Sequence, residues 1–148
     1  MMALLYGTLA VGMLDIADAF VFFWFRSGVQ PTRILQSISA GLLGREAAVA
    51  GGLRTASLGL ALHFFIAFMV VLTYHLASRF LPILRTHAVV CGILYGIAVF
   101  AVMNFVVLPL SAAPPRGVPA GAVLVNGLLI HAFGVGLPAA LTARRGER

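Results

Sequence analysis

The chain contains no lysine, and charge of any kind is scarce: 9% of its 148 residues are Asp, Glu, Lys or Arg, against about 25% in soluble domains. Hydrophobic residues make up 61% and the mean hydropathy is +1.06. A soluble fold of this length has too little interior to hide that much apolar surface. A secreted globular domain, a disordered chain and a cytosolic enzyme are therefore excluded, and the solvent for most of the chain is lipid. The single cysteine, Cys91, excludes an intramolecular disulfide and any CxxC metal or redox motif. The first residues lack a positive n-region, and Asp15 and Asp18 interrupt the apolar run, so no cleaved signal peptide is expected.

The basic residues are ten arginines, at 26, 33, 45, 54, 79, 85, 116, 144, 145 and 148. They give a net charge of +6 but fall at segment ends and in connections. That is the pattern of membrane-edge anchors and not of a nucleic-acid footprint.

A helix needs about 20 apolar residues to cross a hydrocarbon core of about 30 Å. Residues 55–78, 86–115 and 117–143 contain no Asp, Glu, Lys or Arg. Trimmed at their ends, they predict spans at about 56–78, 88–110 and 120–142. A further span, about 3–25, carries the two aspartates and closes with Trp24 and Arg26. The expected fold is all-α: one polytopic domain of four transmembrane helices. Both termini then lie on one face, side A, and residues 26–54 and 111–119 connect spans on side B. Each side receives five arginines, so the positive-inside rule gives no orientation. The arginine-rich tail tilts side A toward the cytoplasm.

Pro31 can start a helix. Ile34, Leu35, Ile38, Leu42 and Leu43 then recur at helical spacing opposite Arg33, Gln36, Ser37 and Ser39. This predicts an amphipathic helix over about 31–44, lying in the interface plane or packed on the end of the bundle. Gly51-Gly52 marks the break before the second span.

Short matches suggest an internal duplication. Tyr6-Gly7 precedes Asp15 at the spacing by which Tyr95-Gly96 precedes Asn104. Gly59-Leu60-x-x-His63 matches Gly127-Leu128-x-x-His131. Spans one and two, and three and four, then read as tandem helical hairpins related by an axis along the membrane normal.

Polar groups in lipid are costly and face the bundle interior. Asp15 lies eleven residues from Arg26, about 16 Å deep at about 1.5 Å per residue. Asp18 lies a turn nearer side B, and Asn104 and Asn126 fall in the side-B half. His63 and His131 lie near mid-span. Gly59, His63, Ala67, Val70 and Tyr74 form one stripe of span two, and Gly127, His131, Gly134 and Pro138 one stripe of span four. Gly92 and Gly96 form a GxxxG pair in span three, which allows close helix approach. Gly7 and Gly12 look spare, as an outward stripe for a partner would be. The bundle that follows points Asp15, Asp18, His63, Asn104 and His131 at one another.

Such a cluster admits several readings. It can fix helix arrangement by mutual hydrogen bonding, as in a structural or accessory subunit. It can form a proton, ion or solute path, with the two carboxylates sharing a proton beside histidines. It can hold a metal on His63, His131, Asp15 and Asp18, or a haem between His63 and His131. The expected partners are the bilayer and other membrane subunits or a second copy, with no nucleic acid. His75 and His87 are expected at the interface. Ser57, Ser78 and Ser111 lack a His and a carboxylate at suggestive spacing, so no enzymatic constellation and no resident cofactor are expected.

The segments GTLAVGMLD, GLALHFFIAF, GILYGIAVFAVMNFVVLPL and LLIHAFGVGLPAAL occur in that order. This arrangement resembles small bacterial four-span inner-membrane proteins, the YagU-like group. In their pattern a His recurs in spans two and four, and a Gly-x-x-Tyr-Gly-like patch in span three ends in a Pro. His63, His131, Tyr95, Gly96 and Pro109 match it. The resemblance implies a multi-pass protein of the bacterial inner membrane and no particular reaction.

Overall fold

Each long apolar stretch becomes one long helix. A computed structural model describes residues 2–115 and 117–145; Arg116 and Arg148, among the expected membrane-edge anchors, lie outside the described residues. The elements are α1 (Met2–Ser27), α2 (Pro31–Leu43), α3 (Arg45–Ala50), α4 (Gly52–Phe80), α5 (Ile83–Thr86), α6 (Ala88–Leu110) and α7 (Gly121–Arg145). Among the described residues there is no strand. Four helices, α1, α4, α6 and α7, are long and apolar enough to cross a membrane. The protein is an all-α, multi-pass membrane protein.

α7 is the central helix. It packs against α1 and α6 and meets α4 through its last segment, Leu137–Arg145. Small residues set the distances. A methyl group on Gly96 would overlap the carbonyl of His131, and one on Gly136 would overlap the carbonyl of Gly92. The GxxxG pair of α6 therefore seats directly on the α7 backbone, as close packing in lipid favours. Gly7 and Gly12 are not spare. Gly7 lies against Thr142 and Val71, and Gly12 against the Phe64 ring. Both face inward, and the outward stripe expected for a partner is absent at these positions.

The dense core sits in the side-A half. Val11, Ala67, Val71, Tyr74, Val135, Ala139 and Ala140 are buried together there. Toward side B the helices spread, because α4 and α7 meet near side A.

α6 and α7 are not regular. Met103–Val107 and Ile130–Gly136 are wound as π-helix. Pro109 and Pro138 each follow two residues later. A helical proline has no N–H to donate and its ring crowds the carbonyl four residues back. Those carbonyls belong to Phe105 and Gly134, each inside a widened segment. π-segments of this kind are frequent at functional sites.

α1 packs on α4, and α6 on α7, as tandem hairpins would. The two pairs differ in detail. Gly59 seats on the Leu35 backbone of α2, whereas Gly127 seats on the Phe100 ring. The π-segments belong to the second pair.

α2 packs along the first turns of α4. The buried side chains of α2 are Ile34, Gln36, Ser39 and Ala40, while Leu42 and Leu43 stay exposed. The polar face expected to meet water is thus partly interior. Its burial is tolerated because Gln36 Nε2 donates to the Gly52 carbonyl at 3.0 Å and Ser39 Oγ to the Gln36 carbonyl at 3.0 Å. Gly44, at φ 78°, ends α2, a left-handed conformation that glycine adopts without strain. The loop after α6 joins α2 through Ala112 N–H to the Gly41 carbonyl, 2.9 Å.

Candidate functional site

Between the spreading helices lies a cavity of about 840 Å³. Asp15, Asp18, His63, Asn104 and His131 all line it. They come from all four spanning helices, so the side-B half of the bundle places every one of the expected polar residues around one space. A water-accessible cavity is the setting in which ionisable residues persist at membrane depth.

The two aspartates have different partners. Asp15 faces α4, where its Oδ2 lies 4.0 Å from His63 Nδ1. Asp18, one turn on, faces α7 and accepts from Asn126 Nδ2 at 2.6 Å. One helical turn is enough to aim the carboxylates at different neighbours. Asn126 is the residue that sequence reasoning leaves out of the cluster, although its amide in an apolar span was a usable signal.

His63 is 9% exposed and its ring is held on two sides. Nε2 lies 2.9 Å from the Gly12 carbonyl. A carbonyl only accepts, so Nε2 carries the proton and Nδ1 is left toward Asp15. The Phe64 ring packs edge-on, with centroids 5.5 Å apart. His131 is held by its own helix: Nδ1 donates to the Gly127 carbonyl at 2.9 Å, and Phe100 packs edge-on at 5.3 Å. Asn104 repeats that arrangement, donating from Nδ2 to the Phe100 carbonyl at 2.9 Å. Both rings are thus anchored to backbone carbonyls, and of the cluster residues only Asp15 lies near a ring nitrogen, that of His63.

The cavity ends abruptly on its side-A side. Tyr95 Oη donates to the Val70 carbonyl at 2.7 Å, bridging α6 to α4. The Tyr74 ring stands edge-on to Tyr95, centroids 5.0 Å apart, and Tyr74 Oη donates to the Leu84 carbonyl at 2.8 Å. Tyr74 is 1% exposed. The pair lies one turn beyond Val70 and Val99, which line the cavity on its side-A side. On side B the rim includes Ile34 and Ile38 of α2 together with Pro114, Pro115, Gly117 and Pro119.

No family model, curated protein or solved structure matches the chain. Among the described residues no group of three or more His, Cys, Asp or Glu side chains converges as a metal-ligand set. The set of His63, His131, Asp15 and Asp18 expected as metal candidates is spread around the cavity wall and does not meet at a point.

The remaining histidines divide. His75 is half-buried near the side-A end of α4, with Nε2 3.2 Å from Thr142 Oγ1. His87 bonds locally to Thr86 through Nδ1 at 3.0 Å and is exposed.

Proposed function

We propose that the protein is a small multi-pass transporter of the bacterial inner membrane that takes a solute into the side-B cavity and couples its movement to the protonation of the Asp15–His63 pair. The observation that carries this reading is a cavity into which all four spanning helices bring polar side chains, Asp15, Asp18, His63, Asn104 and His131, and whose lining stops one turn short of Tyr74 and Tyr95. A bundle whose polar groups served only to fix helix positions would pair them directly and leave little space. Here about 840 Å³ remains between them, within the usual range of small-molecule sites, about 300–1,000 Å³. A proton arriving at His63 Nδ1 makes the contact with Asp15 ionic, and its removal frees the carboxylate to accept from a solute.

The test is uptake. Purified protein in proteoliposomes is given labelled solutes of each charge class, with and without an imposed pH gradient. The reading requires saturable, gradient-dependent uptake of at least one class, lost in Asp15→Asn while the variant still melts like the parent in detergent. If no class moves and the protein instead co-purifies in fixed ratio with another membrane protein, the accessory-subunit reading replaces it.

A further inference from the structure

The polar groups around the cavity are sorted by hydrogen-bonding sense. Four of them are nitrogen-bearing, and in each a donor is turned into the protein. His63 gives Nε2–H to Gly12, His131 gives Nδ1–H to Gly127, Asn104 gives an amide N–H to Phe100 and Asn126 gives one to Asp18. Fixing one ring nitrogen as donor makes the other an acceptor in the neutral imidazole. His63 Nδ1, His131 Nε2, the amide oxygens and the oxygens of Asp15 and Asp18 remain as acceptors, and each amide keeps one further N–H. Among the described residues the lining contains no arginine. Pro114, Pro115 and Pro119 at the rim supply carbonyls and no N–H.

A cavity with two carboxylates and, among its described lining residues, no arginine selects against anions. It favours a donor-bearing cation, since a hydrogen bond from an ionised donor to a carboxylate is the strong kind. The rest of the wall is apolar, with Phe22, Ile66, Met103 and Phe105 among its residues. That suits the body of an organic molecule and not a hydrated metal ion. We propose that the cavity takes an amphipathic organic ammonium ion, its N–H donors on Asp15 and its apolar body against the aromatic and aliphatic wall. This rests on the transport reading above and adds the substrate class.

The test uses unaltered protein in nanodiscs of zwitterionic phosphatidylcholine, so that lipid charge does not concentrate cations. The probes are phenethylammonium, its neutral counterpart 2-phenylethanol, the anion 3-phenylpropionate and the N-trimethylated cation, which keeps the charge but has no N–H. Phenethylammonium should bind saturably. The alcohol and the trimethylated cation should bind at least about tenfold more weakly, as the loss of a charge-assisted hydrogen bond implies, and the carboxylate should not bind. Asp15→Asn should weaken phenethylammonium by at least about tenfold. Equal binding of the alcohol or the carboxylate overturns the cation class while leaving a solute cavity in place. Equal binding of the trimethylated cation overturns the donor argument. Absence of binding by all four overturns the inference, and the transport reading falls with it only if the uptake test also fails for every charge class. If Asp15→Asn does not fold, the comparison among the four probes on the parent protein still decides.

Discussion

Asn126 donates its amide to Asp18 over 2.6 Å, joining residues 108 apart in the chain. The bond ties the central helix α7 to α1 at the level of the cavity. A buried carboxylate without its donor is expensive in a low-dielectric setting. Asn126→Leu should cost about 1.5–3 kcal/mol, the usual worth of a hydrogen bond to a charged group. Removing both partners in Asp18→Leu/Asn126→Leu should cost less than the sum of the single changes. Thermal melting of the four proteins in one detergent gives the cycle, and strict additivity would show that the bond carries no energy.

Gly136 and Gly117 form a matched pair of probes. A side chain at Gly136 meets the carbonyl of Gly92, whereas nothing lies near Gly117. Gly136→Ala should destabilise by about 1–3 kcal/mol through overpacking, and Gly117→Ala should leave the melting temperature close to that of the parent. If the two behave alike, α6 and α7 do not cross where the glycines place them.

The cavity should be reachable from one side. In a Cys91→Ser background, Asn104→Cys should react with a membrane-impermeant maleimide added on side B and resist it on side A, because Tyr74 and Tyr95 lie between. Adding Tyr95→Phe removes the bridge to the Val70 carbonyl and should raise the rate from side A. Equal labelling from both sides in the parent background would mean that the aromatic pair closes nothing.

Topology follows from span length. Reporter fusions after Gly28 and Gly117 should give one reading, and fusions after Pro82 the opposite one, as four crossings require. Agreement of all three would remove a span from the bundle.

What the sequence revealed depended on how regular each helix is. Span boundaries were legible to within a few residues because hydrophobic length is a one-dimensional property. Of the stripe through Gly59, His63, Ala67, Val70 and Tyr74, all but Val70 are buried, since α4 is an uninterrupted α-helix. The stripe through Gly127, His131, Gly134 and Pro138 matches less well. The buried positions of α7 are Ala132, Gly134, Val135, Gly136, Ala139, Ala140 and Ala143. The π-segment Ile130–Gly136 rotates everything beyond it away from a wheel drawn at constant pitch. The two prolines were the visible trace of that shift. Amphipathicity misread α2 for a different reason. Gln36 and Ser39 have polar side chains that close on backbone carbonyls, so they could be interior. α3 and α5, of six and four residues, were too short to leave a periodic signal.

The central place of α7 has a consequence for how the protein is made. α7 leaves the ribosome after the other three spans, yet it touches each of them. While α1, α4 and α6 are already inserted, Asp18 still lacks the amide that will hold it. Gly92 and Gly96 likewise face a place that Gly136 has not yet filled. The first three spans must wait as a loose set, with an aspartate sheltered by water, by neighbouring lipid headgroups or by the insertion machinery. A chain stopped before residue 121 would then be a target for membrane quality control, and the insertion of α7 would be the event that closes the bundle.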